Sequence, residues 1–224
     1  MEQAWIPLFL SLKVAGCATA LNVLFGVPAG FGLSRWRSGA RDLVDSLLTL
    51  PLVMPPTVLG YYLLVLLGRR GMIGRWLDVL GIQLVFTWQG AVIASTIVAF
   101  PLVLKSARAA FESVDPQLER AARTLGISEV GIFFRVSLPL AMRGLLAGAL
   151  LAFARALGEF GATLMIAGNL PGRTQTLSVA IYSAVQAGDD GTANFLVLVT
   201  SVTCVVILVV AARLVPQPAP ASSR

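Results

Sequence analysis

The chain contains no histidine and only two cysteines among its 224 residues. The absence of histidine excludes a His-based general base and a His-containing metal site. Cys17 and Cys204 lie far apart inside apolar runs, so they indicate neither a disulfide framework nor a cysteine metal cluster. We predict that each cysteine is a small buried apolar side chain, and no cofactor is indicated.

Charged residues are also scarce, at 12% of the chain against 57% hydrophobic residues, and the mean hydropathy is +0.83. This composition is far more apolar than that of a soluble domain and predicts an integral membrane protein. Irregular backbone cannot face lipid, so the expected fold is all-α. We expect a polytopic membrane helix bundle of about five transmembrane helices, with six as the alternative. The approximate spans are residues 7–33, 43–67, 89–110, 138–169 and 194–214.

One long polar and charged run, from Asp115 to Pro139, interrupts the apolar sequence. Asp115 can cap a helix start, Pro116 suits the first turn, and Gly126 stands where a helix ends in a left-handed residue. Between them, apolar residues recur at helical spacing, which predicts a short amphipathic helix. The apolar stripe consists of Leu118, Ala121, Ala122 and Leu125, with Glu119, Arg120 and Arg123 off it. Periodicity alone leaves open an ordinary loop between two membrane helices.

The small and apolar residues of this run resemble the EAA loop of ABC importer permeases. That pattern is Glu-Ala-Ala, three residues, Gly, nine residues, Ile, one residue, Leu-Pro. The chain departs from it twice: Arg120 stands at the Glu position, one place after Glu119, and Val136 replaces Ile. The resemblance implies a coupling helix that docks into a groove on a separate ATP-hydrolysing subunit. The residues implied in this coupling are Glu119, Arg120, Ala121, Ala122, Gly126, Val136, Leu138 and Pro139.

The second span contains three prolines within LPLVMPPTVLGYYLL, namely Pro51, Pro55 and Pro56. Each proline removes a backbone donor, so this helix must kink or break. In a membrane, a break survives only against protein or along a water-filled path. A simple kinked helix and a translocation pathway both stay open. A pathway would use Pro55, Pro56 and Thr57, whose hydroxyl is available to a polar solute.

The fourth span contains Arg155 and Glu159, four residues apart on one face of the predicted helix. An unpaired charge at that depth is costly, so mutual pairing is the simpler interpretation. In the alternative, these charges line or gate the translocation route together with Gly158, Gly161 and Thr163.

Lys and Arg residues are divided unequally between the two sides of the predicted bundle. The turn after the first span, the 105–143 region and the C-terminal tail contain 11 of the 17, whereas the opposite side contains four. Basic residues favour the cytoplasmic side, so the 115–139 loop and the C-terminus are predicted to be cytoplasmic and the N-terminus external. The net charge of +6 follows from this asymmetry, and nucleic-acid binding is not indicated.

No GxxxxGK[ST] phosphate loop occurs in the sequence, so ATP hydrolysis by that route must belong to another chain. The resemblance implies a type I ABC importer permease fold and no enzymatic activity in this chain. It also implies a homodimer with two ATP-binding subunits on the cytoplasmic side and an extracytoplasmic binding protein. Residues 1–214 would form one transmembrane permease domain in the bacterial cytoplasmic (inner) membrane. Residues 215–224 would form a disordered cytoplasmic tail, as their Pro, Ala and Ser content indicates.

Three segments, LPLVMPPTVLGYYLL, ERAARTLG and FARALGEFGATLMIAGN, narrow the resemblance to the molybdate permease family. This resemblance implies import of molybdate, and also of tungstate, delivered by a molybdate-binding protein. Sulfate and thiosulfate permeases share the loop pattern and are the nearest alternative. An ion-coupled secondary transporter is a further alternative, although no internal repeat is visible. A membrane enzyme would need an acid, base or nucleophile set that these residues do not supply.

Overall fold

The computed structural model describes residues 2–36 and 38–214. Over these residues the chain is helical without a strand, so the predicted all-α class is confirmed. The helices are α1 (Glu2–Arg35), α2 (Ala40–Val53), α3 (Pro56–Leu67), α4 (Gly74–Val79), α5 (Trp88–Glu112), α6 (Pro116–Thr124), α7 (Glu129–Ile132), α8 (Leu138–Leu157), α9 (Gly161–Ala167), α10 (Leu177–Gln186) and α11 (Asp190–Leu214). A π-helical turn, Phe133–Ser137, joins α7 to α8.

Four helical stretches of the described residues are long and apolar enough to cross a membrane. They are α1, α5, the run from α7 through α8, and α11. The pair α2 and α3 passes the same test when taken together, but the two helices meet at a bend of 107°. The predicted break in the second span is therefore confirmed, and the chain has five spans when this pair counts as one.

The direction of the helices supports the count of five. A Cβ added to Gly26 would meet Val103, and one added to Gly30 would meet Ala107, so α1 and α5 run in the same direction. The chain between two parallel spans has to cross the membrane once more. That crossing falls on α2 and α3.

The core of the bundle lies around α5, which packs against α1 on one side and α8 on another. Small residues line these contacts. A Cβ built on Gly30 would lie 2.7 Å from the Ala107 Cβ, and one on Gly144 would lie 2.6 Å from the Ala110 Cβ. In lipid there is no hydrophobic driving force between helices, so close backbone approach of this kind is what favours their association.

Three expectations need correction or fall outside the described residues. The fourth span does not continue to residue 169, because α8 ends at Leu157 and α9 begins only at Gly161. Cys17 and Cys204 are half-buried rather than fully buried, and each packs at the edge of an apolar cluster. The expected disordered tail, 215–224, lies outside the described residues.

Candidate functional site

The short helix predicted in the polar run is present as α6, with the predicted ends. The Asp115 carboxylate accepts a hydrogen bond from the Gln117 N–H at 2.8 Å, which satisfies a donor that the first turn leaves unpaired. Gly126 follows the helix at a φ of +79°, where a side chain would be strained. The Ser128 hydroxyl then accepts from the Gly131 N–H and starts α7. Local signals in the sequence thus determine where α6 begins and ends.

The two faces of α6 differ sharply in exposure. Leu118 is 48% exposed and Leu125 is 80% exposed, and Ala121 lies on the same outer surface. Ala122 and Glu119 are buried, with Glu119 only 3% exposed. The helix therefore has an outer surface with Leu118, Ala121 and Leu125 and an inner one with Ala122 and Glu119, whereas periodicity had placed Ala122 in one apolar stripe with the three outer residues.

Glu119 occupies a position that sequence periodicity did not anticipate. Its carboxylate accepts hydrogen bonds from both terminal nitrogens of Arg35, with the Nη1 to Oε2 distance at 2.6 Å, and from the Ser137 hydroxyl at 2.6 Å. Burial raises the pKa of Glu119, but the hydrogen bonds from Arg35 and Ser137 more than offset this and bring the pKa below its ordinary value. The carboxylate therefore stays ionised and faces its own chain.

The arginines of the loop lie on the outer side. Arg120 donates to the Pro116 carbonyl oxygen at 3.3 Å, and among the described residues no carboxylate pairs with it. Arg123 forms a two-pronged ion pair with Glu129 that brackets the turn at Gly126. The outer surface of α6 is consequently apolar with a basic border.

The remaining predicted coupling residues lie where the loop returns to the membrane. Val136 is half-buried in the π-helical turn, and Leu138 packs against the main apolar cluster. Pro139 is exposed at the second residue of α8. These residues hold the loop against the bundle rather than extending the outer surface.

The two groups of residues predicted for the pathway come together at one place. Pro55 is extended and precedes α3, and Pro56 begins that helix. A Cβ built on Gly161 would lie 3.1 Å from the Thr57 Cγ2 and 3.2 Å from the Pro56 Cβ. The break between α2 and α3 therefore lies directly against the break between α8 and α9.

Glu159 organises the second break. Arg155 Nη1 lies 2.7 Å from Glu159 Oε2, so the predicted ion pair is formed, although its orientation falls outside hydrogen-bond geometry. The other carboxylate oxygen accepts from the Ala162 N–H at 2.8 Å and caps α9. The Thr163 hydroxyl donates to the Phe160 carbonyl oxygen at 2.9 Å. This capping is the physical reason that α8 does not run on, with Gly158 exposed at its C-terminal end.

Two residues of this candidate site, Arg35 and Ser137, were missed from the sequence. Arg35 was counted only among the basic residues of a turn, and Ser137 was given no role. Neither has a local signal, because each acquires its partner from an element distant in the chain. Among the described residues, no group of three or more His, Cys, Asp or Glu side chains is placed to hold a metal ion.

Comparison with known proteins accords with this geometry. The pattern of the family described as binding-protein-dependent transport system inner membrane component matches residues 22–218. The chain is 43% identical over 211 residues to the molybdenum transport system permease protein ModB of Escherichia coli K12, covering 93% of this chain and 92% of that protein. It is 44% identical over 190 residues to the putative molybdenum transport system permease protein YvgM of Bacillus subtilis 168, covering 84% of each chain.

Two solved structures share the fold at low sequence identity. The MetNI methionine ABC transporter, in an inward-facing conformation, aligns with a TM-score of 0.74 at 18% identity and covers 96% of this chain and 93% of that chain. A bacterial ABC transporter involved in the import of alginate aligns with a TM-score of 0.72 at 17% identity and covers 96% of this chain and 79% of that chain. The fold is that of the type I ABC importer permeases, and the chain belongs to the family of inner membrane components of binding-protein-dependent transport systems.

Proposed function

We propose that this chain is the membrane-spanning permease subunit of an ATP-driven importer that moves molybdate, and also tungstate, into the cytoplasm. The observation that carries the proposal is the outer surface of α6, with Leu118 and Leu125 exposed on a loop whose ends are capped. Exposing two leucines to water on one rigid helix does not stabilise a loop that has no partner. A groove on a partner subunit would bury them.

The expected partners follow from the family. The alginate transporter is described in complex with a pentasaccharide-bound periplasmic protein, and MetNI is described as an ABC transporter. We propose accordingly that this chain forms a homodimer, binds two ATP-hydrolysing subunits through α6, and receives substrate from an extracytoplasmic molybdate-binding protein. The chain itself is a transport component and not an enzyme.

The translocation route is assigned to the two helix breaks that meet at Thr57 and Gly161. Breaks in membrane helices leave backbone groups and hydroxyls that can serve a polar solute only where protein or water surrounds them. Thr57 is exposed beside its break, and Arg155 is partly exposed beside the other. A gate formed by Pro55, Thr57, Arg155 and Gly158 could pass an oxyanion, while Glu159 and Thr163 hold the gate in shape.

Transport would proceed by alternating access. When the ATPase subunits close, α6 would move as a rigid lever, and the spans joined to it would tilt and open the route to one side. By the positive-inside rule, α6 and the C-terminus would lie in the cytoplasm. The membrane would be the bacterial inner membrane, in keeping with the family description. The substrate is proposed from the relatives, which are described as molybdenum transport permeases, and nothing in them favours sulfate.

The proposal is tested by reconstituting the chain with its candidate ATPase and binding protein in liposomes. ATP hydrolysis is measured with molybdate, tungstate, sulfate and thiosulfate in turn. Stimulation by molybdate and tungstate alone is the expected result. Stimulation by sulfate would support the transporter class but identify sulfate as the substrate. The absence of any complex would refute the assignment of α6 as the docking helix.

A further inference from the structure

The carboxylate of Glu119 connects three elements that are separate in the sequence. It belongs to α6, Arg35 belongs to the last turn of α1, and Ser137 ends the π-helical turn before α8. The backbone of α6 packs mainly against α7 and the π-helical turn. Its tie to α1 is therefore made by the Arg35 and Glu119 side chains.

Aromatic rings pack beside this junction, whose Glu119 carboxylate is buried while the Arg35 side chain is 37% exposed. Phe31 of α1, Phe111 of α5 and Phe133 of the π-helical turn pack together, with ring centroids 4.7 to 6.0 Å apart. The Arg35 guanidinium carbon lies 5.0 Å from the centroid of Phe31. Charged hydrogen bonds are stronger where water is excluded, and a buried carboxylate that loses its partner has no water to replace it. The buried Glu119 carboxylate is consequently held in place by Arg35 and Ser137 together.

We infer that Glu119 is a positioning residue through which a displacement of α6 is transmitted to α1 and α8. This inference rests on the proposed function, because it presumes that an ATPase subunit moves α6. By covalent connection alone, α6 would pull on α5 and, through α7, on α8, since α7 and α8 belong to one helical stretch. With the carboxylate in place, α1 must follow the same movement and the start of α8 is held to it directly, so the main spans tilt together.

The inference also explains why Glu119 cannot serve as an acidic contact for a partner. Its oxygens are occupied by Arg35 and Ser137, and the side chain is 3% exposed. The surface that α6 offers instead has Arg120 at its border. Of these two neighbouring residues, Glu119 is thus directed inward and Arg120 outward.

The test measures ATP hydrolysis and molybdate uptake in the same proteoliposomes containing the full complex. Glu119→Gln keeps the size of the side chain and removes its charge. We expect the complex to assemble and hydrolyse ATP, while molybdate imported per ATP falls at least about fivefold, the lower end of usual coupling between sites. Arg35→Gln should give a similar loss. The double variant should lose no more than the worse single one, because both act through one bond.

Asp42→Asn is the matched control, since it removes the charge of an exposed carboxylate in the first turn of α2 that forms no ion pair among the described residues. Its uptake per ATP should match that of the unaltered chain. An unchanged ratio in Glu119→Gln would overturn the inference, as would additive losses in the double variant. Loss of assembly, with an unchanged ratio in the complexes that do form, would show a purely structural role and overturn it as well. Failure of the proposed function would be distinguishable, because the unaltered chain would then form no complex and show no uptake.

Discussion

We predict that Gly60→Ala, a small substitution, has a large effect, because Gly60 lies at the closest helix crossing of the proposed route. A Cβ built on Gly60 would lie 2.7 Å from the Met165 Cβ and 2.8 Å from the Ala162 Cα. Carbon atoms in contact are ordinarily about 3.5–4.0 Å apart, so α3 and α9 would have to separate by roughly 1 Å. Because backbone is one of the obstacles, a side-chain rotation cannot relieve the clash.

The magnitude follows from two opposing effects. Overpacking of this kind costs about 1–3 kcal/mol. Alanine in a helix recovers about 0.5–1 kcal/mol relative to glycine. Gly16→Ala on α1 is the matched control, because its added Cβ would have nothing within 4 Å and would share only the recovery. The difference between the two variants therefore isolates the packing cost, about 1–3 kcal/mol, which corresponds to about 2–12 °C in thermal midpoint.

The assay compares thermal midpoints of the two purified variants in the same detergent, followed by uptake in proteoliposomes. Gly60→Ala should unfold at the lower temperature and import less molybdate, because the widened crossing lies beside Thr57 and Gly161. Equal midpoints would show that α3 and α9 do not approach as closely as described. A lower midpoint with normal uptake would show that this helix crossing is not part of the translocation route.

Three further outcomes are expected together. Leu125→Asp should weaken association with the ATPase subunit at least about tenfold, as measured by co-purification. The thermal midpoint of the isolated chain should stay within about 2 °C, because the side chain is exposed. Two variants test the rigid movement of α6: Ala122→Trp overpacks a buried position, and Gly126→Pro forbids a φ of +79°. Each should uncouple ATP hydrolysis from uptake while the chain still inserts into the membrane. Normal transport by either variant would contradict the role of α6 as a rigid lever. The pKa of Glu119 is lowered on folding, so its stabilisation is present above the unfolded pKa of about 4.3 and is lost as pH falls through the folded value. The midpoint difference between the unaltered chain and Glu119→Gln should accordingly stay constant from about pH 7.5 to 5.5 and shrink below about pH 4; a difference that shrinks already near pH 6 would contradict the ionised carboxylate.

The ends of α6 show what local signals can predict. Asp115, Pro116 and Gly126 act within one turn of their own position, so their roles can be read from the residues alone. The same holds for the prolines at 55 and 56, since a missing N–H breaks a helix whatever surrounds it. The continuation of α8 failed as a prediction because Glu159 was considered as a partner of Arg155 or as part of the translocation route, and not as a helix cap. The second carboxylate oxygen of Glu159 caps α9, and whether it can do so depends on the geometry of the break.

By itself the sequence determined the membrane class, the approximate spans, the broken second span and the position of the short helix in the polar loop. Each depends on composition, on periodicity or on residues next to one another. Only the tertiary structure decided that Glu119 turns inward to Arg35, 84 residues away, and that the break at Pro56 meets the one at Gly161. These are contacts between elements distant in the chain, and they arise from how the helices pack, which no local pattern records.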